Sequence, residues 1–235
     1  MNRYALSVLS VLLTAVVPAA QPQSEWKDPS PHVATSVTVD KDVQLEVLDF
    51  GGSGSPLVLL AGLGDTAHVF DDFAPALTIR HRVLAITRRA HGRSSSPATG
   101  YGFARLADDV ISVMDAMSVT RPIVVGHSFA GEEIHVLGAR YSNKITAVVY
   151  LDAAFNRADN SDAEAHNALA RGLPAAPAPT PADVSSYTAL RAFLLRTQGG
   201  VGPEAHLRAR FTSNPDGSVG LPWAPDAPIR QALSS

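Results

Sequence analysis

The chain of 235 residues is 46% hydrophobic and 17% charged, with a formal net charge of -3. That is enough apolar material for one buried core, with no basic excess to favour a nucleic-acid partner. Its 17 glycines and 17 prolines exclude a coiled coil or collagen, and the lack of any cysteine excludes a disulfide framework, a thiol nucleophile and a lipid-modified cysteine.

Residues 1–20 read as a secretory signal: Asn2 and Arg3 form a short charged region, Ala5 to Val17 an apolar core, and Val17-Pro18-Ala19 a cleavage region of small residues. The apolar run falls short of the roughly 20 residues needed to cross a bilayer, and Pro18 breaks it. The mature product is expected to be secreted or periplasmic, with no stable membrane span after cleavage.

A Pro/Ser-rich lead-in (Ser24 to Pro31) precedes two alternating segments, Ser36 to Asp40 and Val43 to Phe50, which an Asp40-Lys41-Asp42 turn joins as a hairpin. The Gly51 to Pro56 loop leads into Leu57 to Ala61, a continuous apolar run of the kind that forms a strand buried on both faces. Similar runs follow at Arg82 to Thr87, Pro122 to Gly126 and Thr146 to Leu151. Between them, Leu106, Val110, Val113, Met114 and Met117 recur at helical spacing, as do Ile134, Leu137 and Tyr141. Strands alternating with amphipathic helices predict a parallel sheet with helices on both faces, over residues 33–155.

From residue 156 to 235 the pattern changes to a cap-like and linker region. It holds a charged polar stretch (Asn156 to Asn167), an Ala/Pro-rich linker (Gly172 to Pro181), a helix over Val184 to Arg196 and a second from Pro203 to Phe211. The final Leu221-Pro222-Trp223-Ala224-Pro225 reads as loop, and no further buried strand is expected.

The stretch Pro122-Ile-Val-Val-Gly-His-Ser128-Phe-Ala-Gly131 places a serine between an apolar strand and an amphipathic helix, as a nucleophile elbow requires. Here the sequence resembles the α/β-hydrolase family, whose motif is Gly-x-Ser-x-Gly, with Ala130 in place of the last glycine. Two further segments carry the resemblance: Leu60-Ala-Gly62-Leu63-Gly64-Asp65, at the family's oxyanion loop, and Thr87-Arg88-Arg89-Ala90-His91-Gly92-Arg93-Ser94-Ser95, at its Arg-Gly-x-Gly-x-Ser loop. The resemblance implies an α/β fold, a mostly parallel α/β-hydrolase sheet with a partial helical cap. It makes Ser128 the nucleophile and the backbone N–H groups of Leu63 and Phe129 the oxyanion donors. The substrate it implies is a small ester-like molecule; His91 and His127 are common motif neighbours without catalytic duty.

A serine hydroxyl needs a histidine to take its proton and a carboxylate to orient that histidine, and in this family the order is Ser, Asp or Glu, then His. Only His135, His166 and His206 follow Ser128. His135 lies about 10.5 Å along the same helix and is excluded; His166 and His206 read as solvated cap residues. Asp152, at the end of the Thr146 to Leu151 run, is the best-placed acid. The strands that ordinarily bring the acid and histidine are not found, so the fold's last strands are expected to be missing. Thr146 to Leu151 should then be the sheet's edge, with poor solubility and weak or no turnover as the result.

Asp71 and Asp72, like Asp108 and Asp109, fall on predicted helices and read as solvated acidic faces. With no P-loop, no Gly-x-Gly-x-x-Gly after a strand and no His-Glu-x-x-His, no cofactor and no metal is implied. The expected function is a serine hydrolase of carboxylic esters. The alternatives are a catalytically silent, truncated member and an exported small-molecule-binding protein.

Overall fold

A computed structural model describes residues 26–153 and 177–220. The signal segment, the Asn156 to Asn167 stretch with His166, the linker up to residue 176 and the segment from Leu221 onward lie outside the described residues.

The core is a six-stranded sheet of order β1-β2-β4-β3-β5-β6. Strands β1 (Val33–Asp40) and β2 (Val43–Gly51) form the expected antiparallel hairpin, turning through Asp42 at φ 59°. β2 pairs antiparallel with β4 (His81–Ile86). From β4 onward, β3 (Ser55–Leu60), β5 (Ile123–His127) and β6 (Ala147–Leu151) are parallel. Each strand reads as continuously apolar because alternate residues feed two cores. Val58, Leu60, Leu84, Ile86 and Val124 face helices α2 (Phe103–Ala116) and α3 (Ala130–Arg140). Leu57, Leu59, Val83 and Ala85 face a 3-10 turn (Ala67–Phe70) and the short α1 (Ala74–Leu77).

β6 corrects one expectation. The Thr146 to Leu151 run predicts a strand buried on both faces, yet Val149 is 45% and Leu151 44% exposed. Val148 packs toward α3, whereas no described element covers the opposite face of this edge strand. Among the described residues β6 is the edge of the sheet, as expected.

The cap-like region has its own small core. Leu190, Phe193 and Leu194 of α4 (Tyr187–Gln198) meet Leu207 of α5 (Glu204–Arg210), Phe211 and Val219. The Ser186 hydroxyl caps α4 by accepting from the Ala189 N–H at 3.1 Å. A short β7–β8 hairpin (Thr212–Ser213 and Val219–Gly220) was not foreseen, because two-residue strands leave no periodicity to read. The lead-in docks here: the Arg208 guanidinium lies 4.8 Å from the Trp26 ring and 4.4 Å from that of Tyr187. No helix among the described residues is long and apolar enough to cross a membrane.

Two pairs of carboxylates also depart from expectation. Asp72 is exposed as foreseen, but Asp71 is 3% and Asp109 2% exposed. Asp109 faces inward because it falls between Leu106, Val110 and Val113 on the core stripe of α2. Asp71 ends the 3-10 turn beside His68. Burial opposes a charge on His68, but Asp71 and Glu46 outweigh it and push its pKa up to about 9.

Candidate active site

β5 ends at His127 and α3 begins at Ala130, so the chain must turn within Ser128 and Phe129. Ser128 does so at φ 50°, a left-handed conformation that non-glycine residues hold only under constraint. The constraint is visible. The Ser128 N–H donates to the Leu151 carbonyl at 3.2 Å, and the Ser128 carbonyl accepts from the Gly131 N–H at 2.9 Å. Gly126 lets α3 rest directly on β5: a Cβ there would lie 2.7 Å from the Ala130 carbonyl oxygen and 3.0 Å from Ile134 Cδ1. Ala130, the departure from the family motif, is fully buried, and its methyl joins the core without displacing the turn.

Leu60 pairs with Gly126 across β3 and β5, and Leu63 and Phe129 each lie three positions further on. Both side chains pack against Ala90 and Tyr101. Neither backbone N–H has an acceptor among the described residues. The strand order reverses at β3, with β4 on one side and β5 on the other, and such a switch point opens a crevice at the strands' carboxyl ends.

The loop between β3 and the 3-10 turn is pinned from the segment after β4. Arg88 donates to the carbonyls of Ala61 at 2.8 Å and Gly62 at 3.3 Å, and its Nε donates to Glu133 on α3. Its guanidinium carbon lies 4.9 Å from the Phe129 ring. Burial pushes the Glu133 carboxyl up against the opposing pull of Arg88. His91 donates from Nδ1 to the Arg89 carbonyl at 2.9 Å and accepts the Gly64 N–H at 3.0 Å, which fixes its tautomer. Arg89 makes two 2.7 Å bonds to Asp109. The Arg88-to-Ser95 segment is therefore a structural clamp.

His206 corrects the expectation of a solvated residue. It is 4% exposed, with Nδ1 3.2 Å from Thr66 Oγ1 and Nε2 3.3 Å from Asp65 Oδ1. Arg210 approaches the same carboxylate at 3.7 Å. Burial works to raise the Asp65 carboxyl, but the His206 contact and the charges of His206, Arg210 and His127 hold its pKa below the ordinary aspartate value. A lowered carboxylate pKa adds stability that is present above the ordinary aspartate pKa and is lost as pH falls through the lower folded value. The stability gap between the wild type and Asp65→Asn should thus be open at pH 6 and close below about pH 4 in denaturant titrations. A gap independent of pH would exclude this link.

Of the expected site residues, Leu63 and Phe129 pack into one small cluster with Ala90 and Tyr101, and Phe129 directly follows Ser128 in the turn. Asp152 follows Leu151, the register partner of His127, and so ends its strand level with Ser128, at φ 47° and exposed. Among the described residues, neither Ser128 Oγ nor the Asp152 carboxylate has a hydrogen-bond partner. The contacts of the two described later histidines go elsewhere: His206 to Asp65 and Thr66, His135 to the Tyr150 hydroxyl at 3.4 Å.

The model of the α/β-hydrolase fold family matches residues 55–202. The chain belongs to this family. The 2-(acetamidomethylene)succinate hydrolase of Mesorhizobium japonicum is 30% identical over 101 residues, covering 43% of this chain and 36% of its own length. An Escherichia coli esterase, YbfF, is 29% identical over 103 residues, covering 43% of this chain and 40% of its own. A solved E-2-(acetamidomethylene)succinate hydrolase superposes at a TM-score of 0.69 over 87% of this chain and 74% of its own, at 24% identity, a likeness of fold. The matched stretch spans 36% to 48% of the length of the leading curated relatives.

Proposed function

We propose that this α/β-hydrolase acts on carboxylic esters or related acyl compounds through an acyl-enzyme on Ser128. The observation that carries the reading is the left-handed turn at Ser128 between β5 and α3, supported by the Leu63 and Phe129 N–H groups, which have no acceptor among the described residues. In this reading Ser128 Oγ bonds to the acyl carbon and its proton passes to a base from outside the described residues or to added imidazole, while the carbonyl oxygen becomes an oxyanion for the Leu63 and Phe129 N–H groups to stabilise. The tetrahedral intermediate then expels the alcohol, which takes up a proton, and water releases the acid. Asp152 is the candidate acid, from its place beside Ser128.

A second reading, a catalytically silent or purely binding member, is favoured by one observation: no described histidine hydrogen-bonds to Ser128. Exogenous imidazole separates the two. The chain is incubated with a p-nitrophenyl ester with and without imidazole, and the Ser128 peptide is weighed. An acyl adduct on Ser128, with turnover raised by imidazole, supports a hydrolase short of its base. An ester that binds but leaves no adduct under either condition supports the binding protein. Export rests on residues 1–20, and loss of that segment from the mass of the mature chain is its check.

A further inference from the structure

The lead-in and the 3-10 turn bring Asp28, His32, His68 and Asp71 together, with one ligand atom from each inside a 4.8 Å cluster. We infer that these four side chains form a closed site for a divalent transition-metal cation of the zinc class, fastening the lead-in to the hydrolase core.

Three of the facing pairs stand close to the spacing that such a cation sets. Ligand atoms about 2.0–2.1 Å from a tetrahedral ion stand about 3.3 Å from one another. Asp28 Oδ2 is 3.4 Å from His32 Nε2 and 3.4 Å from His68 Nδ1. Asp71 reaches His32 Nε2 at 3.3 Å through Oδ1 and His68 Nδ1 at 2.9 Å through Oδ2.

The second observation is independent of spacing. The His32 side chain is 5% and that of Asp71 1% exposed, yet neither His32 ring nitrogen nor Asp71 Oδ1 makes a hydrogen bond of good geometry, although His32 Nε2 and Asp71 Oδ1 face each other at 3.3 Å. Buried polar atoms are rarely left so, because each forfeits its hydration. His32 Nε2 and Asp71 Oδ1 are the two that line the cluster. A cation satisfies both, and two carboxylates cancel its charge beside neutral imidazoles.

A further carboxylate stands behind the ring. His68 Nε2 points to Glu46 Oε1 at 3.6 Å, and Glu46 is held by the Thr87 hydroxyl, which donates to Oε2 at 2.8 Å. A metal-bound histidine is ordinarily oriented by a carboxylate on its other nitrogen, and Glu46 Oε1, buried without a hydrogen-bond partner, stands just beyond that bond. Two imidazoles with two carboxylates favour zinc or a neighbouring first-row ion over calcium, which takes 6–8 oxygens, and over magnesium. Four protein ligands leave no position open, so the site is structural. Binding releases the proton that His68 Nδ1 shares with Asp71.

The test uses the full chain, freed of metal with a chelator and titrated calorimetrically with zinc chloride, then with calcium and magnesium. One zinc per chain is expected, with a raised melting temperature and no comparable response to calcium or magnesium. Cobalt should give the visible bands of a tetrahedral site. Asp28→Asn, on the partly exposed lead-in, and His32→Gln should each weaken zinc at least tenfold, and Glu46→Gln by about 10–100-fold. The metal-free melting temperature of Asp28→Asn shows that the variant is folded. No saturable zinc binding by the wild type, equal binding of calcium, or unchanged affinity in both Asp28→Asn and His32→Gln would overturn the assignment.

Discussion

Replacing Ser128 by alanine is expected to remove the whole Ser128-dependent rate of ester turnover, on the order of a hundredfold or more, while the fold stays intact. The substitution deletes one oxygen. Alanine tolerates the left-handed φ of 50° about as well as serine does, and the backbone bonds to Leu151 and Gly131 do not involve the side chain. Stability should therefore change by less than about 1 kcal/mol. Imidazole should accelerate the wild type and leave the variant unmoved, because a base without a nucleophile has no hydroxyl to deprotonate. Equal turnover in the two proteins would mean that the chemistry lies elsewhere.

Replacing Arg88 by alanine is expected to cost about 3–5 kcal/mol, since it leaves the Glu133 carboxylate buried without its partner. For a domain of this size that is a fall of roughly 6–20 °C in melting temperature. The same substitution frees the Ala61 and Gly62 carbonyls and removes the cation beside the Phe129 ring, so both proposed oxyanion donors lose a support. A control separates charge from packing. Arg88→Met combined with Glu133→Leu removes both charges and should recover most of the lost stability but not the loop's anchorage. A melting temperature within 2 °C of wild type for Arg88→Ala would show that water already reaches Glu133.

The sheet, α2, α3 and the elbow were legible because each rests on local regularity: apolar runs, helical spacing, and small residues around a serine. The buried ion pairs were legible in principle. Glu133 falls on the core stripe with Ala130, Ile134 and Leu137, and Asp109 with Leu106, Val110 and Val113. A carboxylate at a core position demands a cation, and Arg88 and Arg89 stand side by side after β4. Reading Asp109 as a solvated face overlooked its place on the stripe. His206 was not legible, since its burial depends on α5 docking against Thr66 and Asp65, residues far earlier in the chain. The cluster of Asp28, His32, His68 and Asp71 was hidden for the same reason: it joins two short segments on either side of the β1–β3 strands.

The Ser128 N–H is tied to the carbonyl of Leu151, on the strand that ends the sheet and whose Val149 and Leu151 side chains stand well exposed. Edge strands open locally at far less cost than central ones, so the Ser128 amide should exchange with deuterated solvent at the rate at which β6 frays. The amides of Leu59 and Val124 should wait for global unfolding. The proposed nucleophile thus hangs from an edge strand, and any molecule that lies along β6 and slows its fraying will also steady the serine.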